Sequence, residues 1–252
     1  MKFINHLDLD IPHGNKVIWR YMGLDKFLDL LTHKRLFFTN ATNLTDEYEI
    51  SIPTDFIERK RNQLINEGFT GRELEEEIIQ FQYIHSPMRD LTLVNCWSLG
   101  RDESYALWKI YLGGSKAGVA IRTNVSSLKQ SLINSNKQLD EEIFISKINY
   151  SNFLKEQDLN RFKLITTKRE FYKYEDELRL FILDYPRSEG GKKRSFDFHK
   201  GMYVNIDIEV LTGKIYLSPF VGSWFKESIM KIIDKVAPDL NVKIVSSSIR
   251  DQ

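Results

Sequence analysis

The spacing of apolar and polar residues predicts a strand, a helix, a strand and a loop at the start of the chain. Residues 17–21 (Val-Ile-Trp-Arg-Tyr) form a short apolar and aromatic run, which is typical of a strand. Apolar residues at helical spacing follow at 24–31 and predict a helix. Residues 35–39 (Arg-Leu-Phe-Phe-Thr) are again rich in strand formers, and the polar cluster at 40–43 predicts a loop.

The remainder of the chain predicts a mixture of helices and short strands. Residues 54–85 are charge-dense, with apolar residues at helical spacing and breaks at Gly68 and Gly71, and therefore predict a helical pair. Further helices are predicted at 105–111, 127–136 and 224–236. Residues 91–97 form a further apolar run, and strands are predicted at 118–122, 142–150, 177–183, 203–208, 214–217 and 242–245. Because strands and helices do not alternate regularly, we expect an α+β fold in a single domain over 1–252, with a helical insertion around 54–85.

Composition and charge limit the class of protein. Hydrophobic residues make up 42% of the 252 residues, which is enough to bury a sizeable core. The net charge is +1, so contact with nucleic acid would need a local patch, and the clearest one is Lys192, Lys193, Arg194 and Lys200 in a predicted basic loop at 187–200. Cys96 is the single cysteine, which suits a reducing cytosol. We expect a cytoplasmic protein for two reasons. No stretch approaches the length of about 18 consecutive apolar residues that a membrane helix needs. The first residues of the chain lack the apolar core of a signal peptide.

Motifs of four common enzyme classes are absent from the sequence. The chain contains no GxxxxGK phosphate loop, no GxGxxG after a strand, no HExxH and no GxSxG. Residues 113–118 (Gly-Gly-Ser-Lys-Ala-Gly) follow a predicted helix and are interpreted as a turn. The histidines are scattered, so a histidine-based metal site is not favoured.

Residues 172–179 (Tyr-Lys-Tyr-Glu-Asp-Glu-Leu-Arg) form the most informative stretch. A strand period of two places Glu175, Glu177 and Arg179 on one face, so that two carboxylates and a guanidinium converge. Such a face is either a surface ladder of opposite charges or part of a functional cleft. Several aromatic side chains are candidates for stacking a planar ring or for the core: Trp19, Tyr21, Trp97, Tyr105, Trp108 and Tyr111.

The order of several short motifs resembles the bacterial domain-of-unknown-function family 2971. These motifs are Trp19-Arg-Tyr21, Leu44-Thr-Asp-Glu-Tyr-Glu49, Asn95-Cys-Trp-Ser98, Leu107-Trp-Lys-Ile-Tyr111 with Gly118, Tyr174-Glu-Asp-Glu-Leu-Arg179 and Lys214-Ile-Tyr-Leu-Ser-Pro219. They span nearly the whole chain, with departures from the family pattern at Thr45, Glu47, Lys109 and Ile110. The opening elements and the Glu-x-Glu pattern resemble in turn the ADP-ribosyltransferase fold, whose members hold NAD in a split sheet and use a glutamate.

This resemblance implies a central split or strongly bent mixed sheet flanked by helices. It also implies an NAD-dependent ADP-ribosyltransferase or an NAD glycohydrolase-like effector of the bacterial toxin or defence type. NAD would be the substrate, no metal is expected, and the acceptor stays open among protein, nucleic acid, small molecule and water.

The same resemblance assigns roles to particular residues. Glu177 would stabilise the positive charge that develops on the ribose, and Glu175 would orient or activate the acceptor. Arg20 would bind the pyrophosphate. The remaining residues expected at the NAD site are Tyr21, Ser98, Trp108 and Tyr111.

Two other hypotheses use overlapping residues. A magnesium-dependent nuclease would bind its metal through Asp46, Glu49, Glu175 and Glu177. A non-catalytic protein-interaction domain would use the aromatic residues as core and the Glu-Arg face as a contact surface. NAD consumption without added metal favours the transferase, and chelator-sensitive cutting of DNA or RNA favours the nuclease. The absence of both activities favours the protein-interaction domain.

Overall fold

A computed structural model describes residues 1–151, 159–184 and 197–251 of the chain. Of the predicted basic loop, residues 187–196, with Lys192, Lys193 and Arg194, lie outside the described residues. The helices are α1 (Leu24–His33), α2 (Thr54–Asn66), α3 (Gly71–His85), α4 (Tyr105–Leu112), α5 (Val125–Ser135), α6 (Arg161–Thr166), α7 (Ile208–Leu211) and α8 (Trp224–Val236). The strands are β1 (Lys2–Phe3), β2 (Val17–Gly23), β3 (Arg35–Asn40), β4 (Thr92–Leu99), β5 (Gly118–Asn124), β6 (Glu142–Lys147), β7 (Asn149–Tyr150), β8 (Thr167–Lys168), β9 (Glu177–Leu183), β10 (Met202–Asn205), β11 (Lys214–Leu217) and β12 (Lys243–Ser246).

A large mixed sheet organises the molecule. Its main path runs β1-β6-β9-β4-β2-β5-β11-β12, and β3 with its partner β10 joins it through β4. The β1–β6 and β11–β12 pairs are parallel and the other pairs of this sheet are antiparallel. Helices flank the sheet, so the predicted α+β class with a mixed sheet flanked by helices is confirmed.

The sheet splits at β4. One edge of β4, from Thr92 to Ser98, pairs with β9 along the whole length of β9. The opposite edge pairs with β3 at Leu93 and Val94, and with β2 only at Ser98 and Leu99. Among the described residues, the stretch between these two pairings has no strand partner on that edge, which confirms the predicted split.

Hydrophobic residues on the two faces of the sheet form separate cores. The largest cluster includes Phe27 and Leu31 of α1, Leu180 of β9 and Ile229 of α8. On the other face, Phe144 of β6 and Phe181 of β9 pack with residues of α6. A smaller aromatic cluster joins β2 to α4 through Trp19, Tyr21 and Trp108. Because both faces are covered, β9 is buried along its whole length.

The segment between β3 and β4 contains the predicted pair of helices. The first helix ends at Asn66 and the second begins at Gly71, as the breaks at Gly68 and Gly71 predict. Both glycines adopt positive φ angles, of 100° and 55°, which L-residues with a side chain rarely adopt. The two helices share a small core of their own, made by Leu64, Leu74 and Ile78.

Several element boundaries predicted from the spacing of apolar residues differ from those in the structure. Glu175 ends a 3-10 helix, Asp176 follows with a φ of 40°, and β9 begins only at Glu177, so the predicted single face with Glu175 in the strand is wrong. The predicted strand at 142–150 is interrupted after Lys147. Ile208 begins a short helix capped by Asp207, although the pattern placed it in a strand. In the described parts of the chain, none of the helices has the length and apolarity needed to cross a membrane.

Gly118 allows β5 to approach α4 and β2 closely, and replacing it should destabilise the protein. A Cβ at this position would lie 2.2 Å from Leu112 Cδ2 and 2.7 Å from the Met22 carbonyl oxygen. We expect Gly118→Ala to lower the free energy of unfolding by about 1 to 3 kcal/mol, which is typical of overpacking. Urea denaturation measures the change. The exposed neighbour Lys116→Ala is the control and should change stability by less than about 0.5 kcal/mol; equal stabilities of the two variants would contradict the prediction.

Candidate active site in the split of the sheet

The split in the sheet opens into a cleft of about 610 Å³. Residues of β2, α1, β3, β4 and α4 contribute to its walls. Among them are Trp19, Arg20, Tyr21, Phe37, Cys96, Ser98, Tyr111 and Tyr203. A concave site with a few polar groups among aromatic walls is the usual form of a small-molecule site.

Arg20 lies at the centre of the split and bridges its two sides. Its Nη1 atom donates to the Asn95 Oδ1 atom at 3.0 Å and to the Cys96 carbonyl oxygen at 2.8 Å. Asn95 in turn donates from Nδ2 to the Phe37 carbonyl oxygen of β3 at 2.9 Å. The Arg20 guanidinium also lies over the Trp97 ring, 5.6 Å from its centroid. These contacts link β2, β4 and β3 where their backbones do not pair, and they hold a guanidinium against the cleft.

Tyr21 and Tyr111 form an aromatic wall along the cleft. Their rings are stacked, with centroids 6.3 Å apart. Trp108 packs edge-on against Tyr21 at 5.0 Å and is fully buried. Trp108 therefore lies behind the wall and supports Tyr21, whereas Tyr21 and Tyr111 line the cleft.

A row of side chains connects the cleft with the Glu-rich strand. Trp19 of β2 pairs with Ser98 of β4, and Ser98 pairs with Glu177 of β9. Directly paired residues project from the same face of a sheet, so Glu177 lies on the same face as Trp19, with β4 between their two strands. Glu177 lies behind the cleft-lining residues Cys96 and Ser98, and is 4% exposed.

Three carboxylates and two cations meet next to this row. Lys168 Nζ lies 2.6 Å from Glu49 Oε1, 2.6 Å from Glu175 Oε2 and 3.5 Å from Glu177 Oε2. Arg179 bridges Glu177 and Glu49, with Nε 2.7 Å from Glu177 Oε1 and Nη2 2.9 Å from Glu49 Oε2. The predicted convergence of Glu175, Glu177 and Arg179 is therefore present, but Lys168 and the 3-10 helix bring Glu175 into it rather than strand periodicity.

The cluster separates the pKa values of its two central carboxyls. Burial alone would raise the pKa of Glu177, but the charges of Arg179 and Lys168 outweigh it and lower the pKa to about 2. Burial raises the pKa of Glu175, which Lys168 only partly offsets. Glu177 is thus held as a carboxylate, while Glu175 takes up a proton more readily.

The cluster also acts on groups of the cleft. Burial, together with the charges of Glu177 and Glu175, raises the pKa of Tyr111. Burial and the neighbouring charge of Glu177 raise the pKa of the Cys96 thiol well above its usual value. Both groups are therefore neutral at pH near 7, and the negative charge at this end of the cleft belongs to the carboxylates.

Ser98 fixes the position of Glu175 through the backbone. Its hydroxyl donates to the Glu175 carbonyl oxygen at 2.7 Å, and the backbone N–H of Glu177 donates to Tyr150 Oη at 2.8 Å. The Glu175 side chain keeps 18% of its surface exposed. It is the most accessible carboxylate of the cluster.

The four acidic residues of the nuclease hypothesis do not surround an open position. Asp46 is paired with Arg169 at 2.8 Å, and the other three carboxylates are paired with Lys168 and Arg179. Within residues 1–151, 159–184 and 197–251, no group of three or more His, Cys, Asp or Glu side chains is placed to hold a metal ion.

Sequence reasoning missed several residues of this site. Lys168 lies in a two-residue strand without a recognisable pattern, and Asn95 is one polar residue within an apolar run. A polar residue within an apolar run is itself a signal, because a buried polar side chain needs hydrogen-bond partners. Phe37 and Tyr203 also line the cleft, with their rings 4.8 Å apart, and no motif singled them out.

Replacing Glu177 tests its place in the ion cluster. We expect Glu177→Gln to lower the free energy of unfolding at neutral pH by about 1 to 3 kcal/mol, because hydrogen bonds to charged groups are lost. The folded-state pKa of Glu177 is lowered from 4.5 to about 2, so its stabilising contribution is complete above pH 4.5 and is lost as the pH falls toward 2. The difference from wild type, measured by urea denaturation, should shrink over this interval.

Glu175→Gln is the matched control for this experiment. Because burial raises the pKa of Glu175, the stability of the wild type relative to this variant should rise as the pH falls toward 4.5. The two variants should therefore show opposite trends with pH. A Glu177→Gln difference that stays constant from about pH 7 to about pH 3 would contradict the ion-pair assignment.

Comparison with known proteins gives matches in structure alone. No protein-family model matches the chain, so the resemblance to family 2971 stays a prediction. No curated protein matches it either. The solved structures similar to it include Thermus sp. 2.9 DarT in complex with carba-NAD+, with 10% identity over 96% of this chain and 98% of that chain and a TM-score of 0.41. They also include the same protein in complex with ADP-ribosylated ssDNA, with 10% identity over 96% of this chain and 97% of that chain and a TM-score of 0.42. A third structure is that protein in complex with NAD+, with 9% identity over 95% of this chain and 98% of that chain and a TM-score of 0.39.

Proposed function

We propose that this protein cleaves NAD at the nicotinamide–ribose bond and transfers ADP-ribose to an acceptor. The observation that carries the proposal is the cleft in the split sheet, which combines a guanidinium, an aromatic wall and an ionised carboxylate behind its floor. NAD presents the matching groups, because it has an anionic pyrophosphate, two planar bases and a ribose that becomes positively charged as the bond breaks.

Arg20 would bind the pyrophosphate. Its Nη1 atom is engaged by Asn95 and the Cys96 carbonyl, and these two acceptors aim the guanidinium at the cleft that it lines. Among the described residues no hydrogen bond engages its Nη2 and Nε atoms, so these donors are free to bind phosphate oxygens.

Glu177 would stabilise the transition state. When the N-glycosidic bond breaks, both bonding electrons leave with nicotinamide and positive charge develops on the ribose. A carboxylate with a pKa of about 2 keeps its negative charge throughout this step. Burial strengthens its electrostatic effect on a ribose placed over Cys96 and Ser98, because fewer water molecules screen the charge.

Glu175 would serve the acceptor. The new bond joins an acceptor oxygen or nitrogen to the ribose carbon, and the acceptor must release a proton. Glu175 has a raised pKa and keeps part of its surface exposed, so it can take up that proton. Water as the acceptor gives free ADP-ribose; a protein or nucleic acid as the acceptor gives the modified macromolecule.

Nicotinamide release tests the proposed reaction. Purified protein incubated with NAD and chelator should release nicotinamide, and Glu177→Gln should reduce the rate by orders of magnitude because the negative charge behind Cys96 and Ser98 is removed. Rates are expressed per folded molecule, using circular dichroism and denaturation to quantify the folded fraction. The control is Glu227→Gln, which alters an exposed ion pair on α8 and should leave the rate unchanged.

The acceptor is varied in the same assay. Buffer alone, a protein mixture and single-stranded and double-stranded nucleic acid are each added to the wild type. Absence of nicotinamide release under every condition would contradict the proposal, and chelator-sensitive cutting of nucleic acid would support the nuclease hypothesis instead.

Arg20→Gln should weaken NAD binding. Loss of charged hydrogen bonds to phosphate costs about 1.5 to 3 kcal/mol, which corresponds to roughly a tenfold to hundredfold higher Kd in calorimetry. Arg122→Gln on β5 is the control, since Arg122 lies over the Trp19 ring, 5.7 Å from its centroid, and is absent from the cleft lining. An unchanged Kd for Arg20→Gln, with the fold intact, would remove Arg20 from the proposed site.

A further inference from the structure

Glu103 joins Trp108 of α4, five positions further along the chain, to the segment after β12, which is distant in sequence. It lies in the loop between β4 and α4, outside the cleft lining. Its Oε2 atom accepts from Trp108 Nε1 at 3.0 Å and from Ser247 Oγ at 2.8 Å. Its Oε1 atom accepts from Ser248 N at 2.7 Å and from Ser248 Oγ at 3.0 Å. Both carboxylate oxygens are thus fully used by donors.

The next residue, Ser104, holds the other side of the aromatic wall. Its backbone N–H donates to Tyr21 Oη at 2.8 Å, and its hydroxyl accepts from Leu107 N at 3.3 Å at the start of α4. Glu103 and Ser104 together therefore hold the Trp108 indole, the Tyr21 hydroxyl and the beginning of the helix that carries Tyr111.

The segment after β12 completes this arrangement. Ile249 packs against the cluster of Trp19, Tyr21 and Trp108, next to the two serines that bind Glu103. The aromatic wall is therefore held from behind by Trp108 and by the segment from Ser247 to Ile249, and Glu103 connects the two.

We infer that Glu103 is a positioning residue for the ligand of the cleft: it holds Tyr21 and Tyr111 in register by fastening Trp108 to the Ser247–Ser248 segment. The identity of the ligand as NAD rests on the proposed function, whereas the hydrogen-bond network does not. A glutamine at this position would aim its NH₂ group at donors that need an acceptor, so it cannot reproduce the four hydrogen bonds.

Two readouts of Glu103→Gln test the inference. The first is the NMR spectrum of the four tryptophan indole N–H groups, which needs no ligand. Trp108 loses its carboxylate acceptor, and Trp19, which stacks on Tyr21 at 6.1 Å and donates to Gly100 O in the same loop, should shift with it. Trp97, which donates to Asn95, should not shift.

The second readout is steady-state kinetics with NAD. Ring stacking contributes about 0.5 to 1.5 kcal/mol, so KM should rise about two- to tenfold, while kcat changes by less than about twofold. Asp207→Asn is the matched control, because Asp207 also accepts hydrogen bonds from a helix start and a side chain, but on α7. It should change neither KM nor the Trp19 signal.

The outcomes separate this inference from the proposed function. If the wild type neither binds nor cleaves NAD, the proposed function fails, and the indole spectra still decide whether Glu103 holds the wall. A shift confined to Trp108, with Trp19 and KM unchanged, would overturn the inference. If Glu103→Gln does not fold, Ser248→Ala replaces it, because this variant removes one exposed hydroxyl donor to Glu103. Ser248→Ala is expected to shift the indole signals of both Trp108 and Trp19 slightly. An unshifted Trp19 signal in this variant would likewise overturn the inference.

Discussion

The site depends on one constraint of β-structure, which is that each edge of a strand can pair with only one strand at each position. Because β3 pairs with the start of β4 and β2 with its end, the middle of β4 has no strand partner on this edge within the part of the chain that the structure describes. Backbone and side-chain polar groups left in such a gap need other partners. Arg20 and Asn95 supply them, and in doing so they place a guanidinium inside the opening.

β4 also connects the cleft with the buried charged residues. Ser98 pairs with Trp19 on one side and with Glu177 on the other, and Cys96 pairs with Arg179. An isolated buried carboxylate would take up a proton, but Arg179 and Lys168 keep Glu177 ionised. The free energy of folding thus keeps Glu177 ionised beside the cleft, within an ion cluster that also contains Arg179 and Lys168.

The aromatic wall of Tyr21 and Tyr111 depends on the packing of a helix against the sheet. Tyr21 belongs to the central sheet, whereas Tyr111 belongs to a helix of eight residues that packs on it. The position of a short helix depends on its contacts, since its own hydrogen bonds give little stability. Glu103 and Ser104 at its start therefore influence the spacing of the two rings, although neither residue lies in the cleft lining.

The sequence by itself determined most of the elements and predicted some of the residues that line the cleft. Periodicity and glycine breaks predicted α8 with its observed bounds and the α2–α3 pair, because these signals act within a few residues. Resemblance to known families placed Arg20, Tyr21, Ser98 and Tyr111 at one site, and the structure brings them to one cleft. Only the tertiary structure decided the remaining partners. Glu49 and Arg179 are separated by 130 positions and Glu103 and Ser247 by 144, so no local pattern links them. Their contacts arise from the order of strands and the packing of helices, which also put Trp108 behind the wall and Glu175 outside the strand.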